Sequence, residues 1–314
     1  MSEKKNILVI GSSGQLGCCL RKVSSSRDDL AYVSRGPLKD EDSLILRRSG
    51  ADMSYIESDA LDKDSVVSLI RSLGCSVIVN CAAYTNVDGA EDECEECMKG
   101  NVMIPKVLSE AANETGCLLV HISSDYVYGD GYRSPIAEGD ECNPINQYGL
   151  SKLNGDKSIQ ESGCRYVILR TSWVISEFGK NFYKSIVKKL YDTSSDRITV
   201  VDDQVGSPTS GYDLARAVLH IIDAFLSDPE SFDRYGIYNF SNDGVCSWYD
   251  LAYMIGFKNH LERKIVPCRT HAQKAVRPHY SVMDKTKFKT SFEDMAIPHW
   301  FDIFVCNWAI NFNF

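Results

Sequence analysis

Tyr148 and Lys152 stand four residues apart in the stretch "NQYGLSKLNGD", Asn146 to Asp156. On a helix this spacing puts both side chains on one face. An ammonium beside a phenol favours the phenolate and lowers the tyrosine pKa from about 10. A tyrosine tuned in this way can pass a proton to or from a carbonyl oxygen. The pair alone is common by chance, and an exposed polar face is the competing reading. It gains weight from "HISSDYVYGDG", a strand end that carries Ser124. In open α/β sheets ligands bind at the carboxyl ends of the strands. There the Ser124 hydroxyl can donate to the same carbonyl oxygen. His121, inside that strand, reads as a satisfied core histidine and not as a base.

The elements that must position these groups alternate along the chain. Strands are expected at Ile7–Ile10, Leu30–Ser34, Met53–Ile56, Val77–Cys81, Leu118–Ser123 and Tyr166–Arg170. Helices are expected between them, at Gln15–Ser24, Lys63–Leu73, Ala90–Thr115 and Gln147–Gly163. Continuous apolar strands joined by helices imply a parallel sheet covered on both faces. After Arg170 come a helix near Asn181–Leu190, the strand "RITVV", the loop "DDQVGSPTS", a helix at Tyr212–Leu226 and the strand "GIYNFS". A helix at Trp248–Gly256 and the strand "KIVPC" complete a smaller α/β lobe. The tail "HWFDIFVCNWAINFNF" reads as a docked helix with a frayed end. The domain reading is residues 1–172 for a nucleotide-binding unit, rejoined by elements from about 207–243, and mainly 173–314 for a substrate lobe.

The first strand runs into "GSSGQLG", which places Gly11, Gly14 and Gly17 between a strand and a helix. Glycines there permit a tight turn and close backbone approach to a pyrophosphate. The helix beginning at Gln15 and Leu16 then aims free N–H groups at that anion. An ordinary tight turn is the alternative. The second strand ends in Ser34 and Arg35, with no carboxylate for a ribose 2′-hydroxyl. A guanidinium there suits a 2′-phosphate, which favours NADPH, with NADH as the alternative. A solvated Arg35 is the bland reading. Asp59 and Ala60 follow the third strand, where an adenine would rest. Ala82, Ala83 and Tyr84 follow the fourth, and the alanines allow close approach of a cofactor.

The chain has 314 residues, 44% of them hydrophobic, and a formal net charge of −9. This length can bury a large core without metal or disulfide staples. The net charge opposes binding to nucleic acid or an anionic membrane. No signal sequence is visible and no apolar run nears the roughly 20 residues that span a bilayer, so a cytoplasmic protein is expected. The 12 cysteines are scattered, as for free thiols in a reducing compartment. The close pair Cys94 and Cys97 lacks a second pair or a nearby histidine, and reads as structural.

The sequence resembles the extended short-chain dehydrogenase/reductase superfamily and, more narrowly, its dTDP-4-dehydrorhamnose reductase family. The resembling segments are "GSSGQLG", "VIVNCAAYTNVDGAE", "HISSDYVYGDG", "NQYGLSKLNGD", "ILRTSWV", "GKNF", "DDQVGSPT" and "RPHYSVMD". They recur in the family's order over nearly the whole chain. The resemblance implies a doubly wound parallel sheet (Rossmann) with a smaller C-terminal substrate lobe. It implies hydride delivery from NADPH to the C4 ketone of dTDP-4-dehydro-L-rhamnose, a nucleotide sugar. Tyr148 would protonate the forming alkoxide, and Lys152 would hold the nicotinamide ribose. Ser124 stands where the family usually has threonine, and lacks the methyl that fixes the rotamer.

The resemblance also assigns substrate contacts to Asp125 and Trp173, and weaker ones to Asn181, the loop Asp203–Pro208 and Arg277. Loop architecture and a structural salt bridge are their competing readings. Asn101 either orders backbone near the site or is a surface amide. Some bacterial members use a carboxylate soon after the glycine motif in a magnesium-linked dimer contact. "GQLGCCLRK" has Cys18 and Cys19 there, so no metal is expected and the oligomeric state stays open, a homodimer included. A rival from another class is a non-catalytic subunit like the regulatory beta subunit of methionine adenosyltransferase, which shares many motifs. A reductase or epimerase of another nucleotide sugar is a third reading.

Overall fold

The computed structural model describes residues 6–194 and 196–305. Seven strands form one parallel sheet: β1 (Ile7–Ile10), β2 (Leu30–Ser34), β3 (Ile56–Glu57), β4 (Val77–Asn80), β5 (Leu118–Ser124), β6 (Arg165–Thr171) and β7 (Gly236–Phe240). Their order across the sheet is β7-β6-β5-β4-β1-β2-β3. Residues of β1 and β4 are buried on both faces, as their unbroken apolar runs require. Alternate residues then feed two cores. Ile7, Val9, Val77 and Val79 face the helices Gln15–Val23 and Gly211–Ser227. Leu8, Ile10 and Ile78 face Lys63–Leu73 and Ile104–Thr115. Strand order reverses between β1 and β4, which opens a crevice at their carboxyl ends.

Local chemistry sets the helix ends. The Asp62 side chain accepts from the Ser65 N–H, and Gly74 closes the same helix in the left-handed region. The helix Gln147–Glu161 starts at Asn146, whose side chain accepts from the Gly149 N–H. The smaller lobe gathers the helices Phe182–Tyr191 and Trp248–Lys258 against the parallel pair Ile198–Val201 and Ile265–Cys268. Its core includes Tyr183, Ile186, Leu251, Ile255 and Trp300.

Two expectations need correction, and one helix was not expected. Met53–Ile56 is not a strand; only Ile56–Glu57 pairs, at the sheet edge beside Val33 and Ser34. The helix Asp40–Arg48 carries little sequence signal, because "DEDSLILRR" offers few apolar positions and buries only Asp42 and Leu46. The expected helix Ala90–Thr115 is broken into Gly89–Glu91, Cys94–Met98, a π-helical turn at Lys99–Met103, and Ile104–Thr115. The widened turn lets Asn101 point inward, as such bulges do near functional sites. The tail does dock a helix, Asp302–Val305, with Ile303 and Phe304 buried. The expected frayed end lies outside the described residues.

Candidate active site

The glycine turn is shaped by contacts that exclude side chains. Gly11 has φ +76°, and a Cβ there would lie 2.5 Å from the Ala82 nitrogen. A Cβ on Gly17 would lie 2.5 Å from the Ser12 Cα. Gly14 meets only the Gly11 carbonyl, at 3.2 Å, and caps the helix without a side-chain hydrogen bond. The first-turn N–H groups are thus left for a ligand. This donor set and the tight cradle fit a dinucleotide pyrophosphate.

A cleft of about 890 Å³ runs from this turn across the sheet edge into the smaller lobe. Ser13, Gly14, Gln15 and Leu16 line one end, with Ala82 and Ala83 beside them. Ser124, Asp125, Tyr148 and Lys152 line the middle, and Trp173, Asn181, Phe182 and Trp248 the far end. Gly11 and Gly17 build the turn behind this wall. Ser34, Arg35, Asp59, Ala60 and Tyr84 also lie off it. Ser34 turns its hydroxyl to the Gly36 carbonyl, Asp59 accepts from the Leu61 N–H, and Ala60 is buried. Arg35 is exposed. Tyr84 donates its hydroxyl to Glu93.

Lys152 is buried, and its Nζ donates to the Ile122 carbonyl at 2.7 Å. Burial pulls its pKa down to about 8, and the Asp156 carboxylate opposes the shift. Tyr148 is half-buried, its ring edge-on to Tyr126 with centroids 5.8 Å apart. The expected lowering of its pKa is not met. Burial raises it above the ordinary value, and the Ser124 hydroxyl only partly offsets this. The Lys152 ammonium is turned to a backbone carbonyl, so desolvation of the phenolate wins. The Ser124 hydroxyl donates to Asp125 Oδ1 at 3.0 Å and accepts from the Tyr126 N–H at 3.2 Å. Burial pushes the Asp125 carboxyl up to about 7, against hydrogen bonds from Ser281 and Ser124. His121 is wholly buried, 3.0 Å from Asn80 through Nδ1, and burial holds its pKa well below the ordinary histidine value. It cannot serve as a base.

The substrate-side residues divide by what their polar atoms already hold. Trp173, at φ +48°, stacks on Trp248 with centroids 3.6 Å apart. A Cβ on Gly206 would strike the Trp173 indole at 2.7 Å, which explains the glycine. Asn181 caps its helix: Oδ1 accepts from the Lys184 N–H, and Nδ2 donates to the Ser176 and Phe178 carbonyls. Its amide is therefore occupied architecturally. Asp203 is likewise held by Thr270, and of its loop only Gln204 reaches the cleft wall. Arg277 reaches the wall but forms a two-pronged ion pair with Asp88, at 3.1 and 2.8 Å. Asn101 is buried and grips the Tyr84 backbone through both amide atoms, at 2.9 and 3.0 Å.

Sequence reasoning missed Trp248, Phe182, Lys39, Gln273 and His271 on the wall. They sit on elements whose approach to the cleft has no local signature. The described cysteines are free thiols, and burial pushes Cys18 up to about 12. No described helix is long and apolar enough to cross a membrane.

A glycine turn on a doubly wound sheet, with serine, tyrosine and lysine meeting at its carboxyl edge, defines the short-chain dehydrogenase/reductase class. The model of the RmlD substrate binding domain matches residues 5–303, and the chain belongs to that family. It is 32% identical over 303 residues to the dTDP-4-dehydrorhamnose reductase of Escherichia coli K12, covering 94% of each chain. It is 32% identical to the Bacillus subtilis spore coat polysaccharide biosynthesis protein SpsK, covering 88% of each. A dTDP-4-dehydrorhamnose reductase structure from Clostridium acetobutylicum superposes with TM-score 0.78 at 32% identity, over 95% of this chain and 96% of that one. The Bacillus anthracis reductase, solved with NADP, gives 0.77 at 28%, with the same coverage.

Proposed function

We propose that this protein reduces the C4 ketone of dTDP-4-dehydro-L-rhamnose to dTDP-L-rhamnose with NADPH. The observation that carries the reading is the single cleft in which the glycine turn, the Ser124–Tyr148–Lys152 group and the lobe's aromatic wall follow one another. Its relatives bear the reductase name over almost their full length. The structurally similar Bacillus anthracis reductase was solved with NADP, and β2 ends without a carboxylate that would favour NADH.

In this reading residues 1–172, joined by about 207–243, hold the dinucleotide, and the rest of 173–314 holds the nucleotide sugar. NADPH, when bound, supplies the hydride. Ser13 to Leu16 hold its pyrophosphate, and Ala82 and Ala83 leave room for it. With the ketone bound, Ser124 turns its hydroxyl from Asp125 and donates to the ketone oxygen. Tyr148 gives that oxygen a proton as negative charge builds there. The phenol carries its proton at neutral pH, as an ordinary tyrosine does, until the alkoxide, a far stronger base, takes it. Lys152 fixes the ribose and steadies the phenolate once formed. Trp173 walls the sugar site, and Arg277 meets the diphosphate.

The test is NADPH oxidation with dTDP-4-dehydrorhamnose by the wild type and Tyr148→Phe. Turnover should fall at least about a hundredfold in the variant, with NADPH affinity nearly unchanged. Equal turnover removes Tyr148 as the acid. Binding of NADPH without turnover by the wild type favours the regulatory-subunit reading.

A further inference from the structure

Arg21 is only 1% exposed, although it is an arginine on the helix that follows the glycine turn. Its guanidinium makes no ion pair among the described residues. Nε donates to the Ser12 carbonyl at 3.3 Å and Nη2 to the Ser12 hydroxyl at 3.1 Å. Nη1 donates to the carbonyls of Asp52 and Ser54, at 2.7 and 2.9 Å. The face of the fork lies 3.9 Å from the Tyr32 ring centre. The Asp52 carboxylate, the nearest acid by sequence to these carbonyls, is turned to the Ser54 N–H and hydroxyl and acts on Arg21 only at range.

A buried cation satisfied by carbonyl dipoles and an aromatic face has its hydrogen bonds but lacks a counter-ion. Packing alone does not call for it, since methionine or leucine would fill the same space without a charge to desolvate. The group that it grips gives the charge a purpose. Ser12 is itself wholly buried, is pressed by Gly17, and adjoins Ser13, which lines the cleft. Arg21 therefore ties the floor of the anion-binding turn to residues 52–54, which lead into β3.

We infer that Arg21 is a positioning residue for the dinucleotide, a buried positive charge beneath the glycine turn whose counter-charge is the ligand's pyrophosphate. It acts twice: the fork fixes the Ser12 peptide, and with it the turn, and the charge acts through low-dielectric protein on the anion above. Lysine keeps the charge but cannot hold three carbonyls and a hydroxyl at once. The inference rests on the reading of the turn as a dinucleotide site, and not on the identity of the sugar.

The test measures NADPH affinity by fluorescence titration at several salt concentrations, and substrate-side affinity with thymidine diphosphate, for wild type, Arg21→Met, Arg21→Lys and Ser12→Ala. Arg21→Met should weaken NADPH binding about tenfold or more, and the loss should persist at high salt, because a buried charge is screened little. Arg21→Lys should fall between it and wild type, and Ser12→Ala should lose a few-fold. Thymidine diphosphate affinity, and kcat at saturating NADPH, should stay within about twofold. Unchanged NADPH affinity in Arg21→Met overturns the inference. So does a parallel loss for NADPH and thymidine diphosphate, which marks plain packing damage. If Arg21→Met does not fold, Arg21→Lys and Ser12→Ala decide: wild-type NADPH affinity in both overturns it. Failure of the wild type to bind NADPH instead removes the reading of the turn.

Discussion

At the scale of single residues, burial governs the chemistry more than charge pairing does. Tyr148, Lys152 and Asp125 are all shifted toward their neutral forms. A reductase needs its tyrosine protonated before the step, which holds for any tyrosine at neutral pH, and burial only strengthens it. For Asp125 the sign is testable. Its folded-state pKa of about 7 lies above the ordinary 3.8. Folding therefore bears no ionisation penalty below pH 4, a growing one between pH 4 and 7, and the full, constant penalty above that. Asp125→Asn should be more stable than wild type by roughly 2 kcal/mol at pH 8 and no more stable at pH 4, as read by urea unfolding. Lys152 is also held toward its neutral form, but its pH trend is the opposite one. Its pKa of about 8 lies below the ordinary 10.5, so the cost of its charge is full below pH 8 and fades as pH rises toward 10.5. Lys152→Met should gain about 1–2 kcal/mol at pH 7, with the gain shrinking above pH 8, while turnover collapses.

At the scale of elements, the motif-bearing strands and helices were legible because each combines an apolar run with a diagnostic end. β1 and β2 match their expected bounds, as does Lys63–Leu73. What was not legible depends on contacts between distant segments. The π-helical turn at Lys99–Met103 exists because Asn101 reaches Tyr84 and the Ser151 hydroxyl, and no local pattern encodes that. The Trp173–Trp248 stack joins residues from separate elements and was likewise invisible. Asn181 both caps its helix and lines the cleft, and the cap could not be told from a diphosphate contact by the motif's asparagine alone. Asn101→Leu tests the turn: it strands the Tyr84 N–H and carbonyl and should cost about 2–3 kcal/mol in urea unfolding.

For the molecule as a whole, the lobe is tied to the sheet by Lys22–Glu177, Glu41–Lys184, and the Gln15 amide on the Val174 carbonyl. Two of these links start from the helix that opens the dinucleotide turn. A more remote consequence follows from the sheet's last strand. β6 receives its partner β7 only after the chain has passed through the helix Phe182–Tyr191 and the segments that follow. While a ribosome is still making that stretch, the emerging β6 offers an apolar, unpaired rim to any neighbouring nascent copy. Slow translation between Thr171 and Gly236 should therefore lower the yield of native protein in the cell, and chaperone supply should restore it.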